Sequence, residues 1–177
     1  MEQGTSTTRI ALKWGFISGL ISSVLTVVNY VFDLYRNSLF STLGFGLLVV
    51  FTIFIYVLAM KDFRLNNKDL MSYGQGIGIG VLISVIYSII SGGFNYIYLT
   101  LIDPASAKKM TEFQHDKMIE SGRTEEQYEM FMNSAIGKMM TSLSVQFVFQ
   151  LFFWTFLGLI LSLVIAAILK KEKSFFE

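Results

Sequence analysis

The chain has 177 residues, of which 53% are hydrophobic and 15% are charged, and its formal net charge is +1. Soluble domains usually carry about 25% charged residues, so this composition is typical of a membrane protein. The near-zero net charge argues against nucleic acid as a partner. The chain contains no cysteine, which excludes disulfides, thiolate catalysis and cysteine-ligated metal.

Four long apolar segments follow one another along the chain, and none has a charged residue in its middle. A helix needs about 20 apolar residues to cross the roughly 30 Å hydrocarbon layer at 1.5 Å per residue, and each segment is long enough. The sequence therefore predicts an all-α integral membrane protein with four transmembrane helices in one membrane domain over 1–177. The predicted spans are 10–32, 39–60, 73–102 and 143–169.

The region 103–142 predicts a helical hairpin outside the membrane, between the third and fourth spans. Asp103-Pro104 is suited to end one helix and to open the next, with aspartate as the cap and proline in the first turn. Gly122 then separates two helical stretches, expected over 104–120 and 124–140. The hairpin is expected to pack on itself, to lie on the membrane surface, or to cap the bundle.

Two helix starts carry a capping box, in which two side chains bond to each other's backbone N–H groups. Ser72 with Gln75 opens the third span, and Thr124 with Gln127 opens the second hairpin helix. A bend in the third span is expected at Gly92-Gly93, because paired glycines are a frequent site of kinks.

Lysine and arginine placement predicts the orientation, since cytoplasmic loops are enriched in both. One side of the membrane receives most of the basic residues outside the long hairpin, so both termini and the 61–72 loop are expected in the cytoplasm and the hairpin outside. Tyrosines are expected as anchors at the outer boundary, where their rings meet headgroups. The basic residues are Arg9, Lys13, Lys61, Arg64, Lys68, Lys170, Lys171 and Lys173, and the anchors are Tyr30, Tyr35, Tyr96 and Tyr98.

Small residues recur at three- and four-residue steps along three of the spans, which places them on one face of each helix. Membrane helices approach closely through such faces, because lipid gives them no hydrophobic reason to associate. The first and third spans are therefore expected to touch, within one subunit or between subunits. The predicted packing residues are Gly15, Gly19, Ser22 and Thr26, then Gly76, Gly80, Ser84 and Ser88, then Gly158 and Ser162.

Four amide side chains fall in the predicted outer half of the spans: Asn29, Asn95, Gln146 and Gln150. One interpretation is that they hydrogen-bond across helices and hold the bundle together. The other is that they form a polar vestibule for a small neutral ligand.

Motifs for catalysis or metal binding are not found in the sequence. No ionisable residue lies near the middle of a span, which argues against a proton- or sodium-driven transporter. His115 is the only histidine, so a serine–histidine pair is not available to the serines of the packing faces. We therefore expect a protein that is not an enzyme and that uses no cofactor or metal.

Several short motifs together resemble a bacterial family of four-span membrane proteins known as domain of unknown function 4199. The resemblance covers nearly the whole chain, and it implies a multi-pass protein of the bacterial inner membrane without implying any activity, ligand or site residue. The matching segments are 61–64, 72–76, 94–98 with 102–104, the charged two-helix insert, and 169–171.

The leading functional hypothesis is a non-enzymatic scaffold or accessory protein that binds itself or another membrane protein through the small-residue faces and the hairpin. The alternative is a passive channel or carrier for a small neutral solute. Only the second hypothesis requires a water-accessible cavity around the four amides. The expected partners are therefore the lipid bilayer and another membrane protein or a second copy, with no small molecule identified.

Overall fold

A computed structural model describes residues 6–172, so Lys173 and the two ends of the predicted 1–177 domain lie outside the described residues. Within that range the protein is helical and contains no β-strand, apart from one isolated bridge between Met71 and Lys171. The helices are α1 (Thr7–Val31), α2 (Ser38–Leu65), α3 (Tyr73–Ile97), α4 (Pro104–Glu120), α5 (Glu125–Asn133), α6 (Ala135–Thr141) and α7 (Leu143–Leu169).

Four helices are long and apolar enough to cross a membrane, as the sequence predicted: α1, α2, α3 with its extension to Ile102, and α7. Helix α3 lies at the centre and makes its most extensive contacts with α1 and α7. The apolar core fills the half of the bundle away from the hairpin. Its fully buried members include Tyr56, Met60 and Phe63 of α2, and Ile79 and Ile83 of α3.

Both predicted capping boxes are present. The backbone N–H of Ser72 donates to Gln75 Oε1 at 2.8 Å, and the backbone N–H of Gln75 donates to Ser72 Oγ at 3.3 Å. Thr124 and Gln127 repeat the arrangement at the start of α5. These bonds satisfy N–H groups that a helix start otherwise leaves without a partner.

Helix α3 continues unbroken through Gly92-Gly93. The third span departs from α-helical hydrogen bonding at Tyr98–Ile102, which is π-helical. Gly92 instead gives room to Phe147 of α7, whose ring carbon would lie 2.9 Å from an added Cβ. Asp103 then caps α4 by accepting a hydrogen bond from the backbone N–H of Ser106, as expected for the Asp103-Pro104 pair.

The predicted helix over 124–140 is wrong in one respect, because Ser134 divides it into α5 and α6. Ser134 has extended backbone angles, and its Oγ accepts a hydrogen bond from the Gly137 N–H at 3.0 Å. The same hydroxyl donates to the carbonyl oxygen of Phe131 at 2.6 Å. A serine that bonds its neighbours' backbone in this way ends one helix and caps the next.

A clasp at the end of the bundle away from the hairpin joins the 61–72 loop to the end of α7. Met71 and Lys171 exchange two backbone hydrogen bonds of 2.8 and 2.9 Å. Lys171 Nζ lies 2.5 Å from Asp69 Oδ2, and Arg64 lies 2.7 Å from the other oxygen of the same carboxylate. These cations lower the pKa of Asp69, with the hydrogen bond from Lys171 as the largest cause.

Candidate functional site

The small-residue face of α1 packs against isoleucines of α3. A Cβ on Gly15 would lie 2.8 Å from Cβ of Ile86, and a Cβ on Gly19 would lie 2.8 Å from Cβ of Ile90. Real Cβ contacts do not come this close, so both glycines are required for the observed approach of the two backbones.

The small-residue face of α3 packs against the corresponding face of α7. A Cβ on Gly76 would lie 2.6 Å from Cβ of Ala166, and one on Gly80 would overlap Ser162. Gly158 in turn leaves room for Ser84 and for Tyr56 of α2, whose hydroxyl groups hydrogen-bond to each other. The faces of α3 and α7 therefore meet each other inside one chain.

These contacts refine the packing expected from sequence. Helices α1 and α3 do touch, but their two small-residue faces do not meet, because α1 uses isoleucines of α3 and α3 directs its own small residues at α7. Ser88 is fully buried, and its hydroxyl donates to the carbonyl oxygen of Ser84 at 2.7 Å. Side chains of the same chain therefore already pack against the glycines on these faces.

Toward the hairpin the same helices border a polar space of about 270 Å³ that is open on one side, named here the hairpin-side cavity. It lies among α1, α3 and α7, with the α1–α2 turn and α4 at its outer end. Its lining residues are Ser22, Thr26, Asn29, Tyr30, Tyr35, Ser91, Asn95, Met110 and Gln150.

Every lining residue is uncharged, and all except Met110 carry a hydroxyl or an amide group. Apolar side chains usually dominate ligand pockets, with only a few polar groups among them. A polar lining inside a membrane bundle is costly unless its groups bond to each other, to water or to a ligand. The hairpin-side cavity is therefore suited to a neutral, hydrogen-bonding occupant.

Part of the lining is bonded internally and part of it is available. Tyr30 donates its hydroxyl to Asn95 Oδ1 at 2.9 Å, and Gln150 Nε2 donates to Ser91 Oγ at 3.3 Å. Asn95 Nδ2, Gln150 Oε1 and the whole Asn29 amide have no partner among residues 6–172. The cavity thus presents both donors and acceptors to an occupant.

A cluster of aromatic rings holds Tyr30 in position. Its ring stacks on Tyr98 with centroids 5.5 Å apart and meets Tyr35 edge-on at 6.2 Å. Tyr35 contacts Phe113 of α4 in the same manner at 5.7 Å. Tyr30 and Tyr98 are 9% and 6% exposed, so both pack inside the bundle. The prediction that these two tyrosines are anchors at the membrane interface is therefore wrong.

The floor of the cavity is a hydrogen bond of 3.0 Å between the hydroxyl groups of Ser22 and Tyr87. Beyond it lies a small void of about 10 Å³, lined in part by Ser18, Tyr56 and Ser84. That volume is about one water molecule. The apolar core begins at this level, so the hairpin-side cavity is closed toward the opposite face of the bundle.

Helix α4 lies at the mouth of the cavity and contributes Met110 to its lining. Met110 lines the hairpin-side cavity and also a second space of about 220 Å³ beneath the hairpin. Its neighbour Lys109 lies 4.0 Å from Asp33, whose φ of 50° turns the chain between α1 and α2. The methionine therefore separates the two spaces, and the ion pair ties α4 to the rim.

The structure brings three of the four predicted amides together. Asn29, Asn95 and Gln150 line the hairpin-side cavity, whereas Gln146 lies outside it and donates to the carbonyl oxygen of Met140 at 2.9 Å. The vestibule expected from four amides is therefore corrected to three. Of the predicted packing residues, Ser22 and Thr26 also belong to the cavity lining.

The contribution of tyrosines to this site was not predicted from the sequence. Tyr87 sits in the middle of an apolar span, where its hydroxyl requires a partner, and Tyr30 likewise carries a polar tip. Buried tyrosines in helices that also carry serine and asparagine were the available signal. Met110 gave no such signal, because its place depends on how α4 folds back over the bundle.

No group of three histidine or acidic side chains that could hold a metal occurs among residues 6–172. His115 of α4 bonds instead to Glu125 of α5 at 2.9 Å and lies 3.4 Å from Asp116. The hydrogen bond to Glu125 is the largest cause of a raised His115 pKa. This histidine joins the two hairpin helices.

Comparison with known proteins identifies a family but no individual relative. No curated protein and no solved structure matches the chain. The model of the family described as "Protein of unknown function (DUF4199)" matches residues 13–171. This match covers nearly the whole chain, including all four membrane-capable helices from Lys13 onward. The chain therefore belongs to the DUF4199 family.

Proposed function

We propose that this protein is a non-enzymatic membrane carrier that binds a small, neutral, polar solute in the hairpin-side cavity. The observation behind the proposal is the cavity itself: about 270 Å³ lined by eight hydroxyl- or amide-bearing residues and no charge. Pockets for drug-sized ligands begin at about 300 Å³, so the expected solute is smaller than those ligands.

The polar groups of the lining that have no partner determine which chemical groups a solute needs in order to bind. The free Asn95 Nδ2 donates, the free Gln150 Oε1 accepts, and Asn29 offers both kinds of group. A solute that carries both donors and acceptors, such as a short polyol or a simple amide, satisfies all three. An ion is disfavoured, because no opposite charge lines the cavity to offset its loss of hydration.

A carrier is favoured over an open channel, because the path ends at the Ser22–Tyr87 hydrogen bond and the apolar core. Transport then requires that these two hydroxyl groups separate while α4 closes the mouth. Met110 lies between the hairpin-side cavity and the space beneath the hairpin, so it is the side chain of α4 that would close the mouth.

The test is solute uptake into vesicles that contain the purified protein, followed by light scattering after an osmotic step with glycerol or urea. The native chain is expected to accelerate the uptake of at least one of these solutes over protein-free vesicles. Thr26→Phe fills the cavity and is expected to remove the acceleration. Val24→Phe, on the lipid-facing side of the same helix and 64% exposed in the native chain, is the matched control and retains it.

Equal uptake with and without protein for both solutes would contradict the carrier. Equal acceleration by Thr26→Phe and the native chain would place the path outside the hairpin-side cavity. Both variants are first compared with the native chain by thermal unfolding, so that a loss of fold is not mistaken for a blocked site.

A second candidate is the scaffold or accessory role, with another membrane protein or a second copy as partner. Its specific support is α2, whose hairpin-side half is little packed by the rest of the bundle. Leu39, Leu43 and Leu47 are 54% to 69% exposed there, as lipid-facing residues are. The feature that favours a partner is Gly44, where an added Cβ would meet nothing within 4 Å, so another helix has room to approach the backbone of α2. The small-residue faces of α1, α3 and α7 support this role less, since their glycines are covered within the chain.

We further propose that the protein resides in a bacterial inner membrane with both termini and the 61–72 loop in the cytoplasm. The basic residues of that loop and of the chain ends support this orientation. The hairpin and the mouth of the cavity then face the outside. Reporter fusions at the C-terminus and within 103–142 test it, and an active cytoplasmic reporter in the hairpin would contradict it.

A further inference from the structure

Helix α6 carries an apolar face that nothing in the described chain covers. Met139 and Met140 lie one turn after Ile136, on the same side of the helix. Ile136, Met139 and Met140 are 64%, 58% and 63% exposed. Lys138 projects about 160° away from Ile136 at 100° per residue, and it is exposed on the opposite side. Gly137 is buried against the backbone of Phe131, which fixes the rotation of α6 relative to α5.

This apolar face lies beside the start of the fourth span. Only Ser142 separates α6 from the start of the fourth span at Leu143. Gln146 Nε2 donates to the carbonyl oxygen of Met140 at 2.9 Å, so the end of α6 contacts the first turns of α7.

A groove of about 400 Å³ runs between α6 and α7. Five of its six lining residues are apolar: Ile136, Met139, Met140, Val145 and Phe149, with Gln146 as the sixth. On α7 the groove continues into the lipid-facing surface of the span, where Phe149 and Phe152 are 69% and 68% exposed. The groove is thus a lateral extension of a surface that already faces acyl chains.

We propose that α6 is an interfacial helix, with its apolar face in the leaflet on the hairpin side and a lipid acyl chain in the groove against α7. Lys138 then points toward headgroups and water. Interfacial helices characteristically bury their apolar face about 5–10 Å into the boundary between headgroups and acyl chains, with lysine on the other face. Lipid is favoured over a protein partner because the groove is continuous with the lipid-facing side of α7.

The proposal does not depend on the solute carrier. It assigns the hairpin a definite place, in which α6 lies at the membrane surface while α4 lies at the mouth of the cavity. The lipid contact of α6 therefore holds the hairpin beside the bundle from the outside.

The native chain has no cysteine, so single cysteines can be spin-labelled without a modified background. Met139→Cys lies on the apolar face and Lys138→Cys lies outside it, about 100° round the helix, and both positions are exposed enough to accept a label. Each is measured in phosphatidylethanolamine–phosphatidylglycerol vesicles by its collisions with oxygen, which concentrates in lipid, and with a water-soluble nickel chelate. Phe149→Cys and Glu126→Cys provide the lipid and water references.

The expected oxygen-to-nickel collision ratio at 139 matches that at 149 and exceeds the ratio at 138 severalfold. A ratio at 139 equal to that at 126 would mean that the face lies in water, and it would overturn the proposal. Low collision rates with both reagents would mean a protein contact, from a second copy or another partner, and would also overturn it. Ile136→Cys repeats the test on the same face in case Met139→Cys fails to fold.

Discussion

Gly80 and Gly78 lie two residues apart on α3 and have opposite surroundings. A Cβ on Gly80 would overlap Ser162 of α7, whereas a Cβ on Gly78 would meet nothing within 4 Å. Gly80→Ala is expected to lower the free energy of unfolding by about 1–3 kcal/mol, because overpacking forces the two backbones apart.

Thermal unfolding in detergent, followed by tryptophan fluorescence, measures this difference. Gly78→Ala is the matched control and is expected to leave stability unchanged or to raise it by up to about 1 kcal/mol, since alanine favours the helix. Equal destabilisation by the two variants would show that α3 and α7 do not pack through this face.

Tyr30 contributes both a ring and a hydroxyl group to the wall of the hairpin-side cavity. Tyr30→Phe keeps the stacking on Tyr98 and removes only the hydrogen bond to Asn95. The expected loss is about 0.6–2 kcal/mol, the range for hydrogen bonds between membrane helices. Thermal unfolding measures it.

Tyr96→Phe, at a 39% exposed tyrosine of the same helix as Asn95, is the control and is expected to have little effect. A double-mutant cycle with Asn95→Leu isolates the Tyr30–Asn95 pair. An interaction energy of zero in this cycle would refute the bond between the two side chains.

At the scale of elements, the α4–α5 hairpin is closed by a titratable contact. His115 Nε2 lies 2.9 Å from Glu125, its Nδ1 lies 3.4 Å from Asp116, and Tyr128 meets the ring edge-on with centroids 4.5 Å apart. The two carboxylates raise the pKa of His115 above its ordinary value of 6.5. The contact therefore stabilises the hairpin fully below pH 6.5 and weakens as the pH rises through the raised pKa.

Amide hydrogen exchange in α5 is expected to quicken across that transition, beyond the intrinsic effect of pH. His115→Gln removes the titrating group and is expected to abolish the additional step. Glu125→Gln is expected to bring the pKa of His115 down, which an NMR titration of the ring measures directly. A His115 pKa that is unchanged by Glu125→Gln would contradict the contact.

The sequence predicted elements best where one local signal dominates. Hydropathy predicted the four spans, and the Ser72–Gln75 and Thr124–Gln127 pairs predicted two helix starts, because each signal lies within one continuous segment of the chain. The break at Ser134 escaped prediction, since a serine with this spacing to glycine is compatible with either a continuous or a divided helix. Helix α3 also continues through Gly92-Gly93, and Gly92 there gives room to Phe147 of a distant segment.

At the scale of the whole molecule, the clasp between the 61–72 loop and the end of α7 joins the middle of the chain to its last span. Asp69 accepts hydrogen bonds from Lys171 and Arg64, and both lower its pKa from the ordinary 3.8. The ionised carboxylate is the stabilising form, so its contribution is present above pH 3.8 and is lost as the pH falls through the lowered pKa.

Asp69→Asn is expected to loosen the bridge between Met71 and Lys171 at neutral pH, and the amide protons of these two residues are expected to exchange faster. Glu129→Gln, at an exposed carboxylate of α5, is the matched control and is expected to leave both amides unchanged. Equal exchange in the native chain and Asp69→Asn would show that the clasp is held by its backbone hydrogen bonds alone.

The candidate site was predictable only in part, because it depends on which helix faces meet. The amide residues pointed to the correct half of the bundle, and Asn29, Asn95 and Gln150 do converge. Gln146 does not, since its position on α7 directs it toward Met140. Periodicity identifies a face of a helix but not the neighbour of that face, so the pairing of α3 with α7 could not be deduced.

The most direct test of this account is whether water reaches the hairpin-side cavity. Thr26→Cys places a thiol on the cavity wall, Val24→Cys places one toward lipid, and Ser88→Cys places one in a fully buried position. Each is exposed in vesicles to a small water-soluble methanethiosulfonate, and the rate of labelling is measured. Rapid labelling is expected at 26 and slow labelling at 24 and 88, whereas labelling at 26 as slow as at 88 would show that water does not reach the cavity.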